Sequence, residues 1–84
     1  MYEVYLERTA EKDLSRLSAD DYNHIITYIK ALAKETRPSG CRKITGSKSD
    51  WRIRLGDYRI IYEVNDKEKI VKVMRVRHRR EAYR

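Results

Sequence analysis

Between Trp51 and Val64 the chain reads Trp-Arg-Ile-Arg-Leu-Gly-Asp-Tyr-Arg-Ile-Ile-Tyr-Glu-Val, and its arginines at 52, 54 and 59 are spaced to act together. Gly56-Asp57 between two alternating stretches signals a two-residue hairpin turn, with the glycine taking the positive φ. Such a turn dictates a register: Leu55 against Tyr58, Arg54 against Arg59, Ile53 against Ile60, Arg52 against Ile61 and Trp51 against Tyr62. Directly opposed residues project to one sheet face. Trp51, Ile53, Leu55, Tyr58, Ile60 and Tyr62 therefore form an apolar face, while Arg52, Arg54 and Arg59 gather on the other. Like charges directly opposite destabilise a hairpin, and a local conflict of this kind often marks a functional position. An anion held between the arginines relieves the repulsion, and phosphate fits the planar guanidinium fork. The alternative is that the three side chains splay into water, neutralised by acidic neighbours on other strands.

A second basic element closes the chain: Arg75-Val-Arg-His-Arg-Arg-Glu-Ala-Tyr-Arg84 holds five arginines and one acid. It is either an arm for nucleic acid or a partner, or a segment that folds over the arginine face from the end of a strand. Folded over, it delivers Tyr83, which can stack on a base or exchange a proton with a substrate hydroxyl. Tyrosine normally titrates near ~10, and an arginine cluster lowers that value. Histidine changes charge near neutrality without such help, so His78, at the strand end, is the competing base. His24 falls on the polar side of a helix, away from the sheet, as a bystander. One cysteine, Cys41, and two histidines separated in sequence lack metal-ligand spacing, so no metal site is expected. Three glycines make no phosphate-cradling loop, and no cofactor is expected.

The elements that must position these residues follow from periodicity. Tyr2, Val4 and Leu6 alternate with Glu3 and Tyr5 as in a half-buried strand. Thr9 is placed to cap a short helix with Ala10, Leu14 and Leu17 inward, and Ser18 with Asp21 signals a second helix. That helix carries an apolar stripe of Tyr22, Ile25, Ile26, Ile29, Leu32 and Ala33, and Pro38 and Gly40 stop it. After the hairpin, residues 65–68 form a turn and residues 69–77 a last strand. The fold class is α+β: two N-terminal helices packed on one face of a small, mostly antiparallel sheet. Tyr5, Tyr28 and Tyr83 remain for surface contact, with Tyr22 and Tyr58 assigned to the core.

The 84 residues, 40% of them hydrophobic, suffice for one small domain spanning 1–84 and exclude a second catalytic one. The fold must rest on packing, which suits a reducing, cytoplasmic setting. The opening residues carry Glu3, Glu7, Arg8 and Glu11, unlike a signal peptide, and no apolar run is long enough for a membrane span. Charge is divided unevenly. Residues 1–40 hold six Lys or Arg against seven Asp or Glu, a net of −1, and residues 41–84 hold fourteen against six, a net of +8. A basic half of this kind points to nucleic acid first, to an acidic protein next, and otherwise to a solvated surface.

The 51–64 stretch, followed by Arg75-Val-Arg-His-Arg-Arg-Glu-Ala-Tyr83, resembles the RelE/ParE superfamily of toxin–antitoxin toxins, on the RelE side, over nearly the whole chain. The resemblance implies a microbial RNase-like fold that cleaves messenger RNA in the ribosomal A site without metal. The 2′-OH attacks the neighbouring phosphodiester, leaving a 2′,3′-cyclic phosphate and a 5′-OH. It further implies that Arg59 binds the scissile phosphate, that Arg52 and Arg54 stand where some members have lysines and grip the backbone, that Arg79 (or Arg80 beside it) lies near the leaving oxygen, and that Tyr83 is the C-terminal tyrosine. Arg77, His78, Arg80, Lys43 and Lys48 are expected RNA contacts. Arg77 stands where the family usually has glycine. The implied partners are an acidic, partly disordered RelB-like antitoxin, the ribosome and mRNA, with operator DNA reached only through the antitoxin complex. A gyrase poison of the ParE kind, or an inactive antitoxin-binding regulator, are the competing functions.

Overall fold

Alternating apolar and charged residues around a tight turn can bury one face only as paired strands, and the second half of the chain does this. In a computed structural model, which describes residues 1–82, the elements are β1 (Glu3–Leu6), α1 (Arg8–Ser15), α2 (Ala19–Ala31), β2 (Arg42–Lys43), β3 (Asp50–Leu55), β4 (Tyr58–Asn65), β5 (Ile70–His78) and α3 (Arg79–Ala82). The sheet order is β1-β5-β4-β3-β2. β1 runs parallel to β5 and the other pairs are antiparallel. The β3–β4 register matches the expected one pair for pair, and Gly56 supplies φ +60° at the turn. No helix among the described residues is long and apolar enough to cross a membrane.

The two helices cover the apolar face. Ala10 and Leu14 of α1, with Ile25 and Ile29 of α2 and the adjoining Leu32, meet Ile53, Ile60, Tyr62, Val64, Val71, Val73 and Val76 in one buried cluster. Tyr62 is fully buried, and its hydroxyl donates to the Thr36 carbonyl at 2.8 Å, which satisfies its only donor. Burial pushes that hydroxyl well above the usual tyrosine range. Ser18 caps α2 as expected, accepting from the Asp21 N–H at 3.2 Å. Tyr22 departs from the expected stripe and is 40% exposed. The helix also ends well before Pro38, because the N–H groups of Leu32, Ala33 and Lys34 bond three residues back, which tightens the last turn.

α1 has a second task. β1 pairs with β5 only as far as Val73, so the rest of that β5 edge needs other partners. Thr9, expected as a cap, instead donates its hydroxyl to the Met74 carbonyl at 2.6 Å, and the N-cap position is Glu7. Asp13, buried, accepts from the Val76 N–H at 3.0 Å and from the Arg75 guanidinium at 2.9 and 3.2 Å. A β-bulge at Met74 completes the strand: Tyr62 faces Val73 while Ile61 faces Arg75, with Met74 between. The extra residue inverts the alternation, so Val76 points into the core and Arg75 and Arg77 do not.

Candidate functional site

On the sheet face away from α1 and α2, cross-strand pairing lines up arginines in rows. Arg54, Arg59 and Arg77 stand opposite one another across β3, β4 and β5, and Arg42 stands opposite Arg52 across β2 and β3. Directly opposed Cβ atoms lie about 5 Å apart, so the guanidiniums share a small patch. Arg42, Arg52 and Arg54 are exposed, and Arg59 and Arg77 are half-buried. Between them lies a pocket of about 290 Å³ lined by Arg42, Arg52, Arg54 and Arg59, with Gly40 at its rim. Gly40 has φ +92°, which lets the chain turn back alongside the site before β2. Four cations around one concavity have the chemistry to hold an anion of phosphate size and to stabilise charge that builds on its oxygens.

Two carboxylates on this face, Asp50 and Glu63, are paired with each other one step along the strands, beyond the Arg52–Ile61 pair. Among the described residues, these acidic side chains flank the arginine rows at one end. At the other end α3 leaves β5, and the Arg79 N–H donates to the Asp57 carbonyl of the β3–β4 turn at 2.6 Å. Arg79 and Arg80 are exposed and border an open depression with Asp57 and His78.

A family model described as the ParE toxin of the type II toxin–antitoxin system parDE matches residues 4–83. Among solved structures, the RelE–RelB complex of the archaeon Pyrococcus horikoshii is similar at 31% identity and TM-score 0.82, over 93% of this chain and 94% of that one. The chain belongs to the RelE/ParE superfamily of type II toxins. The RelB–RelE complex of Methanococcus jannaschii (28% identity, TM-score 0.77, 94% of each chain) and a RelBE toxin–antitoxin complex of Mycobacterium tuberculosis (25% identity, TM-score 0.82, 93% of this chain and 98% of that one) share the fold. No curated protein matches the chain.

In this RelE/ParE fold, Arg52, Arg54 and Arg59 come together as expected, and Arg77 joins their face through the bulge. Arg42 was missed and belongs with them, whereas Lys43 pairs with Trp51 and therefore sits on the helix side of the sheet, away from the pocket. A two-residue strand has no periodicity from which to choose between Arg42 and Lys43. Lys48 is exposed in the loop between β2 and β3. His78, expected beside the arginine cluster, pairs with Tyr58 on the helix side, its ring edge-on to the tyrosine at 5.2 Å. His24, expected to be remote, lines a depression there with His78, Asp21, Asp57 and Tyr58. Tyr83 lies outside the described residues. Among the described residues no three His, Cys, Asp or Glu side chains are grouped to hold a metal ion.

Proposed function

We propose that this toxin is an mRNA interferase that cleaves mRNA in the ribosomal A site and so inhibits translation. The observation that carries the reading is the pocket lined by Arg42, Arg52, Arg54 and Arg59. In the reaction, the ribose 2′-OH attacks the adjacent phosphorus and gives its proton to a base, the P–O5′ bond breaks, and the leaving oxygen takes up a proton as the 5′-OH. Negative charge builds on the non-bridging oxygens, and fixed guanidiniums stabilise it more than they stabilise the ground state. Arg59 holds the scissile phosphate, Arg52 and Arg54 counter the phosphorane charge and Arg79 attends the leaving oxygen. Arginine stays charged at neutral pH and cannot serve as the base, and that role goes to Tyr83. The arginines supply the positive charge the step requires, so the reaction runs without metal or cofactor.

A RelB-like antitoxin is the proposed partner, supported by the complexes that related toxins form and by a net charge of +7 that attracts an acidic, partly disordered segment. Ribosome and mRNA are the proposed targets, the cytoplasm the place of action, and operator DNA is reached only through the antitoxin complex. Expression followed by mapping of new 5′ ends on ribosome-bound messages tests the activity. The matching family model is named for ParE, which favours a gyrase poison as the second reading. Broken DNA with intact messages would establish that alternative and sink the nuclease.

A further inference from the structure

We infer that His78 is a positioning residue whose imidazole caps α3 and so sets the direction in which Arg79 and the rest of α3, to Ala82, leave the sheet. The inference deepens the nuclease reading and depends on it only for its activity readout. A helix leaves its first backbone N–H groups without partners of its own, and α3 has only four residues. At that length helix formation is unfavourable unless outside groups fix the first turn. Two bonds do so: Arg79 N–H donates to the Asp57 carbonyl at 2.6 Å, and Arg80 N–H donates to His78 Nδ1 at 3.2 Å.

The second bond has the pattern of an N-cap, a side-chain acceptor bonded to the N–H two residues on. For Nδ1 to accept, the ring proton must sit on Nε2. The ring itself is held edge-on to Tyr58 with an interplanar angle of 86°, and the Tyr58 hydroxyl donates to Asp21 at 3.2 Å near the start of α2. The cap is thereby tied through β4 to the helix layer. Strand alternation sends Arg77 to the arginine face and His78 to the other, so the imidazole reaches the arginine face through α3.

Three full-length variants separate the roles. His78→Asn keeps an acceptor at the cap and drops the ring, His78→Phe keeps a ring against Tyr58 and drops the acceptor, and His78→Ala has neither. The readouts are the backbone Cα chemical shifts of residues 79–82, which report helix population, and the rate at which ribosome-bound message is cut. The nitrogen-15 spectrum of the wild-type ring should show the Nε2-protonated tautomer. His78→Asn should keep both the helical turn and the rate within about threefold, since asparagine is among the best caps. His78→Phe and His78→Ala should shift the turn about fivefold toward coil, the size of a lost cap, and slow cleavage by at least that factor. A helical His78→Phe with a frayed His78→Asn would make ring packing the role and overturn the inference. A His78→Asn that keeps the turn but cuts no faster than His78→Ala would make His78 a base acting on the substrate, and overturn it equally. If even the wild type cuts no message, the nuclease reading fails while the chemical shifts still decide whether His78 caps α3.

Discussion

Arg59→Ala is the perturbation on which the nuclease reading bears most directly. Arg59 occupies the middle of the Arg54–Arg59–Arg77 row and lines the pocket, so a phosphate there must lie against it. Removing one preorganised donor to a developing oxyanion typically lowers a rate about 10²- to 10³-fold, or roughly 3–4 kcal/mol of transition-state stabilisation. Arg59→Lys keeps the charge but loses the two-point fork, and one lost charged hydrogen bond corresponds to about a tenfold reduction. The order wild type, Arg59→Lys, Arg59→Ala is thus expected in steps of about ten and then a further ten or more. The fold should survive. Arg59 projects from the sheet face away from the helices, so its loss leaves the buried cluster intact. The melting temperature should change by no more than about 5 °C. Initial rates on ribosomes carrying a defined message measure the first effect, and Trp51, the chain's one tryptophan, reports unfolding in the same samples. A folded Arg59→Ala protein cutting within threefold of wild type would refute the reasoning, and so would a loss of activity that merely tracks melting.

Asp13→Ala removes the acceptor for the Val76 N–H and the partner of Arg75 at the uncovered stretch of β5; Arg75 is about one-third exposed, so the expected loss is about 2–3 kcal/mol, seen as a melting point lower by roughly 10–20 °C. Arg42→Ala should weaken binding of single-stranded RNA and flatten its salt dependence: four pocket arginines give a slope of log K against log salt near about −3, falling in magnitude by about 0.7 for each one removed. The Arg37 hydrogen bond, followed by that of Tyr2, holds the Asp66 carboxyl below its usual value of 3.8. The sign follows from that depression: the stabilisation is present above the unfolded value and lost as pH falls through the folded one. Arg37 also stacks on Trp51 at 5.1 Å, so Trp51 emission should change below about pH 4 in wild type, and Asp66→Asn should abolish that change.

The hairpin was legible because two local signals agree, a Gly-Asp turn and strict alternation on both sides of it, and together they leave one register. That register alone brings Arg52, Arg54 and Arg59 to one face. β5 was not legible in the same way. Continuing the alternation of Val71 and Val73 would turn Arg75 and Arg77 inward and Val76 outward, a face choice that the Met74 bulge reverses. A bulge inserts one residue without changing composition, and its trace in the sequence is a valine at 76 set among arginines. Asp13 left a trace too. It lies beside Leu14 and three residues after Ala10, on the inward side of α1, where a carboxylate needs a buried partner. The partner comes from β5, 62 residues away in sequence, and no local pattern identifies it. The bulge and the Asp13 contacts serve one end: the bulge turns Arg77 to the arginine face opposite Arg59, and Thr9 and Asp13 hold the bulged edge against α1. If the site depends on Arg77 as well as on the hairpin arginines, then α1, which does not line the pocket, contributes to its shape through β5. Asp13→Ala should then slow cleavage even at temperatures where the protein remains folded.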